Sequence, residues 1–242
     1  MSLDHALSYQ RRGWVPVPTF EVRTRQGHLV CSCPAGPDCP SPAKHPRVAW
    51  RHLDRLDPAQ VQAWWRRWPS AGIALRTGQV SGLVVVDVDP GHGGSASLDA
   101  LTEGYGPLPP TLSVSTGGGG WHHYFAAPGL ALPNDAGRVL GAGLDVRAEG
   151  GIVVAPPTRH LSGQRYAWAT TGPPDPTPLP TWIAERLSRP PPRLASLPVP
   201  AVEPVPARAA PYGRAALARE CQAVRAAGEG TRNATLNRAA FR

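Results

Sequence analysis

The sequence predicts an α+β fold in which a mixed or antiparallel sheet is flanked by helices. The run Leu83–Val86 is apolar and largely β-branched, which is typical of a buried strand. Four glycines over 117–120 separate two further strand-like segments. Helical patterns over 2–12 and 57–68 flank the first strands. With 242 residues, 41% of them hydrophobic, the chain can bury one good-sized core beside a smaller appendage.

The first half of the chain begins with a helix whose apolar residues share one face. A second helix begins at Asp57, whose side chain suits an N-cap, with Pro58 at the first helical position. Between the two, the segment 19–50 is predicted to be irregular. The predicted strands of this half lie over 14–17, 72–75 and 83–89.

The second half of the chain alternates short strands with helices. A strand over 111–115 enters the glycine run, and a strand over 121–126 leaves it. A turn at Glu149 and Gly150 joins the next two strands. The remaining predictions are helices over 95–101 and 180–187 and strands over 144–148, 151–155 and 166–169.

The chain divides by composition into three parts. Residues 1–188 are predicted to form one domain, 189–211 a Pro-rich extended linker, and 212–242 an Ala- and Arg-rich helical segment. The helical pattern stops abruptly, so we expect this chain to be part of a longer protein. The net charge is +2 over 1–188 and +6 over 189–242. The strongly basic C-terminal part suits contact with a polyanion, and the alternative is that its charge only aids solubility.

The sequence predicts neither a membrane span nor a signal peptide. The longest apolar runs are too short to span a bilayer, and the N-terminal residues lack the apolar core of a signal peptide. We therefore expect a cytoplasmic protein with no membrane partner. In that compartment, clustered cysteines favour a metal site over disulfides.

Two carboxylates lie at the end of the best-defined strand. Asp87 and Asp89 are two residues apart, so in a strand their side chains project from the same face, roughly 7 Å apart along the chain. A charged carboxylate at this position needs a partner, and Mg²⁺ or Mn²⁺ takes such oxygens. The alternative is a strand end that runs into a polar loop.

A glycine-rich turn forms the second motif, Ser115–Phe125. Glycines let backbone N–H groups approach phosphate oxygens closely. After the turn, strand alternation places His122 and Tyr124 on one face and His123 and Phe125 on the other. A flexible hairpin has the same pattern, so this motif is weak evidence when taken singly.

The third motif is an Asp-x-Arg strand. Asp145 and Arg147 share a face by the same alternation. Asp145 could complete a metal site with the first two carboxylates, and Arg147 could hold a triphosphate with its fork of donors. A simple Asp–Arg surface pair is the alternative.

A metal-ligand pattern lies in the irregular N-terminal segment. Cys31, Cys33, Cys39 and His45 make a Cys₃His set typical of a closed structural Zn²⁺ site in a loop over about 28–47. His28 is the rival fourth ligand, and reduced thiols in a loop are the alternative.

Taken together and in this order, the motifs resemble the bifunctional primase–polymerase (prim-pol) family of the archaeo-eukaryotic primase superfamily. The resemblance covers roughly 3–187. It is carried by IALRTG at 73–78, DVD at 87–89, STGGGGWHHYF at 115–125 and LDVRAEGGIVVAPPT at 144–158. GEGTRNATLNRAAF at 228–241 is similar to segments that follow such domains in phage and plasmid replication proteins, where a helicase module often comes next.

The resemblance implies an RRM-like catalytic sheet and a DNA primase/polymerase. Its reaction is template-dependent nucleotidyl transfer with two Mg²⁺ or Mn²⁺ ions, on a single-stranded DNA template with NTP or dNTP substrates. The implied metal ligands are Asp87, Asp89 and Asp145. His122 is implied to contact nucleotide phosphates, together with Arg76, Ser115, Thr116, Gly117, Gly118 and Arg147. The implied setting is a phage, prophage or plasmid protein in a bacterial cytoplasm.

The chain departs from the family pattern in the glycine-rich turn. Trp121 stands where the family often has an Arg before the His, so a basic contact is either missing or supplied by Arg76. The extra glycine leaves open whether Ser115 or Thr116 faces the nucleotide. Lys44 and Arg47, next to the Cys₃His set, suit contact with the template or an initiating nucleotide.

Two other function classes compete with this interpretation. A rolling-circle nicking endonuclease also uses an RRM-like sheet, but it needs two His on one strand face, whereas His122 and His123 are adjacent. A zinc-containing module that binds single-stranded DNA without catalysis would not need all three acids, which are present.

Overall fold

The computed structural model describes residues 2–189 and 210–226. The helices are α1 (Ser2–Arg11), α2 (Pro58–Arg67), α3 (Gly94–Tyr105), α4 (Thr181–Ser188) and α5 (Ala210–Ala226). The strands are β1 (Pro16–Thr19), β2 (Val22–Arg25), β3 (His28–Cys31), β4 (Gly72–Arg76), β5 (Leu83–Val88), β6 (Leu112–Ser115), β7 (Trp121–Ala126), β8 (Asp135–Ala136), β9 (Leu144–Arg147), β10 (Ile152–Ala155), β11 (Ala167–Trp168) and β12 (Thr177–Pro178).

The larger sheet has the order β11-β6-β7-β5-β9-β8, and every pair along this path is antiparallel. The short β12 pairs in parallel with the end of β7. The most apolar strand, β5, lies in the interior of the sheet. Both of its faces are covered by side chains there, which suits its apolar composition. The predicted α+β class with antiparallel sheets is confirmed.

A smaller antiparallel sheet of order β1-β4-β10 contributes to the same core as the larger sheet. All five residues of β4 are buried, in keeping with its central position. Its Ile73 and Leu75 belong to one hydrophobic cluster with Leu83 and Val85 of β5. This cluster lies on one side of the larger sheet and also includes residues of α1 and α2, such as Ala6 and Trp65.

A second hydrophobic cluster covers the other face of the larger sheet. Val84, Val86 and Val88 of β5 pack there with Leu101 of α3 and Ile183 of α4. The alternation along β5 therefore divides its side chains between two cores. Asp87 lies on the same face as Leu83 and Val85, where the first core ends.

A two-stranded hairpin, β2–β3, occupies part of the segment that the sequence predicted to be irregular, so that prediction is wrong for 22–31. Gln26 and Gly27 connect the strands, and both have positive φ (50° and 79°). Two left-handed residues in a row match the twist of a tight hairpin. The Gln-Gly pair is a weaker sequence signal than Asn-Gly, so the sequence alone does not predict this turn.

Other differences are small shifts of boundaries. β1 begins two residues later than predicted, and α3 continues to Tyr105. Asp57 caps α2 as expected, because its side chain accepts a hydrogen bond from the Ala59 N–H at 2.9 Å. The predictions of a linker over 190–209 and of further helix over 227–242 lie outside the described residues. Within the described part, none of the helices combines the length and hydrophobicity needed to cross a membrane.

Candidate active site

Three polar side chains form a row across the middle of the larger sheet. In the register, Asp87 of β5 is directly opposite Asp145 of β9 on one side and His122 of β7 on the other. Residues directly opposite in antiparallel strands have Cβ atoms roughly 5 Å apart and point to the same face. The sheet thus brings together three residues that are far apart in the sequence.

A cavity of about 630 Å³ opens on this face of the sheet. The larger sheet supplies Asp87, His122 and Arg147, the small sheet supplies 152–154, and the zinc loop (residues 28–47) supplies 44–46. Asp89, His92, Thr116, Gly118, Gly120, His160, Tyr166 and Ser41 also line it. The cavity is therefore bounded by all three of the sequence motifs and by the Cys₃His segment.

Asp87 is an acid held in a poorly solvated position. Burial raises its pKa to about 6, and the nearby Arg147 and Lys44 oppose that rise while Asp145 and Asp89 add to it. The carboxyl oxygen lies 3.6 Å from His122 Nε2, too far for a good hydrogen bond. A carboxylate in this state gains strongly from a cation, because the cation offsets the desolvation of the charge.

His122 is neutral at physiological pH. Burial lowers its pKa to about 3, and the positive charges of Lys44, Arg147 and His123 act in the same direction. Its side chain is 6% exposed, and among the described residues its Nδ1 makes no hydrogen bond of good geometry, although the backbone of Val154 lies near enough to affect its pKa. Buried polar groups normally have hydrogen-bond partners, so we expect this imidazole to gain one when a ligand enters the cavity.

Asp89 lies just beyond the strand, at the rim of the cavity. β5 ends at Val88, and the Asp89 side chain accepts hydrogen bonds from the Gly91 N–H at 2.9 Å and from His92 Nδ1 at 2.7 Å. Burial raises the pKa of Asp89, but these hydrogen bonds and the charge of His92 outweigh it and hold the pKa below its ordinary value. Its carboxylate is about half exposed.

Asp145 is paired within its own strand. Arg147 Nη2 donates to Asp145 Oδ2 at 2.6 Å, and both side chains are about one-third exposed. Arg147 lines the cavity, whereas Asp145 is not among its lining residues. The predicted acidic triad, Asp87, Asp89 and Asp145, is thus adjacent in the fold, but each acid has its own local environment.

The glycine-rich turn is held by Thr116. Its Oγ1 accepts from the Gly120 N–H at 2.9 Å, and its carbonyl accepts from the Gly119 N–H at 3.1 Å. A side chain at Gly120 would collide with the Val88 carbonyl, and one at Gly117 would collide with the His160 side chain. Both positions therefore require glycine, and the turn lies against the end of β5 beside the acids.

Three predicted nucleotide contacts, Arg76, Ser115 and Gly117, do not line the cavity. Arg76 is buried at the end of β4, where its guanidinium donates to the Leu53 carbonyl and lies 3.2 Å from Asp54. Ser115 donates to the Ala167 carbonyl of β11 at 3.3 Å. Thr116 and Gly118 line the cavity, whereas Gly117 does not. Tertiary contacts of the individual side chains determine where these residues lie, and the sequence motifs that contain them do not indicate those contacts.

The Cys₃His set forms a compact group of ligand atoms. The Sγ atoms of Cys31, Cys33 and Cys39 and a ring nitrogen of His45 all lie within 4.8 Å of one another. His45 Nε2 is 3.5 Å from Cys31 Sγ and 3.4 Å from Cys39 Sγ. Zinc bonds of about 2.3 Å to sulfur and 2.0 Å to nitrogen place tetrahedral ligands at about this separation. The set is therefore compatible with zinc binding.

The structure also separates the two candidate fourth ligands. His28 begins β3 and is exposed, whereas His45 lies with the thiols. Burial lowers the pKa of His45, so its ring is neutral, as a metal ligand must be. Among the residues described, this is the one group of three or more His, Cys, Asp or Glu side chains whose ligand atoms gather this closely.

Several residues that line the cavity were not predicted as site residues, and three of them have side chains that could bind a ligand. Lys44 comes from the zinc loop, and His160 and Tyr166 come from the segment after β10. Burial lowers the pKa of His160, and the charge of Lys44 adds to this effect. Lys44 was expected to contact nucleic acid because of its position beside His45, but His160 and Tyr166 belong to no motif that the sequence offers.

Comparison with known proteins gives one result for most of the chain. A family model described as bifunctional DNA primase/polymerase, N-terminal, matches residues 6–182. The match spans the two sheets, the zinc loop and every residue of the cavity. A sequence search of curated proteins finds no match.

Proposed function

This chain belongs to the bifunctional DNA primase/polymerase family, and we propose that it catalyses template-dependent nucleotidyl transfer with two divalent metal ions. The family supports nucleotidyl transfer of the primase/polymerase kind and implies DNA and nucleotides as substrates. The observation that carries the specific proposal is the row Asp145–Asp87–His122 on one sheet face beside the cavity.

The acids are proposed to hold Mg²⁺ or Mn²⁺. Asp87 and Asp145 are opposite neighbours on β5 and β9, and Asp89 follows at the rim. When bound, the ions neutralise charge on the triphosphate and favour deprotonation of the attacking 3′-hydroxyl. The fit rests on the donor set, since carboxylate oxygens are the ligands these ions prefer, and on the raised pKa of Asp87, which a cation would relieve.

The remaining cavity residues are proposed to bind and orient the nucleotide. His122 is neutral and can donate one hydrogen bond to a phosphate oxygen without repelling a metal ion. Arg147 can turn part of its guanidinium from Asp145 toward the triphosphate. Thr116 and Gly118 place the glycine-rich turn beside the end of β5, where backbone N–H groups can meet phosphate.

Zinc is proposed to be the metal of the Cys₃His set. Three thiols and one imidazole leave no open position in a tetrahedral site, so the role is structural. The same resemblance supports further proposals: a single-stranded DNA template, a domain over 1–188, and replication of a phage or plasmid in a bacterial cytoplasm with a helicase module following. Most of the predicted linker and the end of the predicted helical segment, residues 190–209 and 227–242, lie outside the described part.

A primer-extension and priming assay tests the proposed function. The protein is incubated with single-stranded DNA, Mg²⁺ or Mn²⁺ and labelled nucleotides, with and without a primer. We expect products whose sequence follows the template. Covalent attachment of cleaved DNA to the protein, or binding with no turnover, would contradict the proposal. The position of His123 on the opposite face from His122, hydrogen-bonded to Ser113 at 2.9 Å, speaks against nicking chemistry.

A further inference from the structure

Of the zinc-loop residues that line the catalytic cavity, Lys44 is the one with a cationic side chain. It stands between two of the Cys₃His ligands, Cys39 and His45, and it lines the cavity with Asp87, His122 and Arg147. It is also the single lysine of the sequence. Its positive charge lowers the pKa values of three other residues of this lining, Asp87, His122 and His160.

The two cations of the cavity differ in their partners. Arg147 is paired with Asp145 at 2.6 Å. In contrast, within the described residues no carboxylate lies within 4.0 Å of the Lys44 ammonium, and its side chain is exposed to the cavity. Lys44 therefore has a positive charge available for an anion, whereas a new contact by Arg147 must compete with its existing ion pair.

The backbone on both sides of Lys44 is fixed by the Cys₃His set. Ala43 is buried, adopts a left-handed φ of 58°, and donates its N–H to Cys31 Sγ at 3.4 Å. The Lys44 N–H donates to the Ser41 carbonyl at 3.1 Å. On the other side, the His45 carbonyl accepts from the Phe20 N–H at 3.1 Å, and the His45 ring lies among the thiols. Losing the metal ligands would release both anchors.

Arg47, three residues later, shows that a cation of this loop need not face the cavity. Its Nη2 donates to Glu21 Oε2 at 2.6 Å and to Ser32 Oγ at 3.1 Å. Its guanidinium also packs 4.3 Å from the centre of the Phe20 ring. Arg47 therefore stabilises the loop. Lys44, which follows the turn at Ala43, lines the cavity, and Arg47 does not.

We propose that Lys44 binds phosphate oxygens of the incoming nucleoside triphosphate and that the Cys₃His set holds it in place for this contact. The inference rests on the proposed function, because it takes a nucleoside triphosphate as the ligand of the cavity. A charged donor beside the acidic triad adds positive charge where the triphosphate and the leaving pyrophosphate need it. The zinc site thereby acts on nucleotide binding as well as on stability.

Direct binding tests the proposal independently of catalysis. We would measure the affinity for a non-hydrolysable dNTP analogue with Mg²⁺ by fluorescence anisotropy in the wild type, Lys44→Ala and Lys44→Arg. A lost charge-assisted hydrogen bond predicts about tenfold weaker binding for Lys44→Ala, partial rescue by Lys44→Arg, and little change for the corresponding nucleoside. Arg23→Gln is the matched control, since Arg23 is an exposed cation on β2 outside the cavity. Unchanged binding by Lys44→Ala would overturn the proposal.

The link to the Cys₃His set is tested by chelation. Removing zinc from the wild type should weaken binding of the analogue as Lys44→Ala does, and removing it from Lys44→Ala should add little. Circular dichroism checks that the sheets remain folded, and re-added zinc should restore the wild-type affinity. Additive losses would contradict the link between the two sites.

Two phosphate sources are separated by the assay with and without a primer. If Lys44 contacts the incoming nucleotide, Lys44→Ala raises the KM for primer extension as well as for unprimed synthesis. A defect confined to unprimed synthesis would assign the contact to an initiating nucleotide and overturn the proposal as stated. A wild type that binds the analogue but extends no primer would refute the proposed function and leave the binding result for Lys44 standing.

Discussion

The four soft ligands of the zinc loop and the three carboxylates of the acidic triad differ in what surrounds their ligand atoms. The thiols and His45 are gathered within 4.8 Å and mainly face one another. In the acidic triad, Asp145 is paired with Arg147, Asp89 with His92, and Asp87 is held by burial with a raised pKa. The first group already has the compact arrangement of a metal site, whereas the proposed binding of cations by the second requires a change in its local contacts.

This difference follows from ligand chemistry and from the role of each site. Thiolates and imidazole bind zinc tightly enough to stabilise a fold, and a closed tetrahedron leaves nothing to exchange. Carboxylates bind Mg²⁺ weakly through few ligands, and substrate phosphates usually complete the coordination. We therefore expect the zinc site to be occupied permanently and the acidic triad to fill together with the nucleotide.

The largest expected effect is loss of activity at the acidic triad. Asp87→Asn and Asp145→Asn each remove a ligand charge, which is worth several kcal/mol in metal-assisted chemistry, so template-dependent extension should fall by about 10³-fold or more. Extension assays measure the loss, and Asp99→Asn, at an exposed position on α3 outside the cavity, is the control. Both variants should keep their zinc. Near wild-type extension by either variant would remove that acid from the metal site.

The next effect separates the two sites by stability. His45→Ala removes a ligand of the Cys₃His set and should lower the free energy of unfolding by roughly 2–4 kcal/mol. His28→Ala is the matched control, because His28 is exposed and lies apart from the thiols. Zinc content measured by mass spectrometry should fall for His45→Ala and not for His28→Ala. The reverse pattern would make His28 the ligand.

A pH effect tests the burial of Asp87. Its folded-state pKa of about 6 lies above the ordinary 3.8, so the metal-free protein loses stability as the pH rises from about 4 to above 6. Asp87→Asn removes this loss and should stabilise the metal-free protein at pH 7.5 by about 1–2 kcal/mol, or roughly 3–6 °C in Tm. At pH 4 the gain should shrink. A variant less stable than the wild type at pH 7.5 would show that the carboxylate is already well compensated.

The smallest effect concerns the partner of Asp89. His92→Ala removes an exposed contact, which is worth less than about 1 kcal/mol. The change frees the carboxylate at the rim, so the Mn²⁺ concentration for half-maximal extension should shift by less than about fivefold. A titration of extension against Mn²⁺ measures the shift. A loss as large as that of Asp87→Asn would mean that His92 itself takes part in the reaction.

The sequence predicted the parts of the site that depend on local pattern. Alternation along β5, β7 and β9 placed Asp87, His122, Asp145 and Arg147 on their faces, and the structure has the same alternation. The spacing of three cysteines and a histidine predicted the group that the structure gathers. These features follow from the period of a strand and from ligand chemistry, which a single sequence carries.

The pairing of distant strands and the contacts of individual side chains could not be predicted from the sequence. Nothing local specifies that Asp87 is opposite both Asp145 and His122, because the register joins three distant segments. Arg76 seemed available to a nucleotide by its motif, but the Leu53 carbonyl and Asp54 engage its guanidinium. His160 reaches the cavity because Gly117 leaves room for its side chain, a fit that is visible only in three dimensions.

Crystals of the protein soaked with Mn²⁺, with and without a non-hydrolysable dNTP analogue, would test the central claim most directly through anomalous scattering. The account predicts zinc at Cys31, Cys33, Cys39 and His45 in both crystals, and manganese between Asp87 and Asp145 that reaches full occupancy only with the analogue. Manganese absent from these acids in the presence of the analogue, or bound at another group of residues, would contradict it.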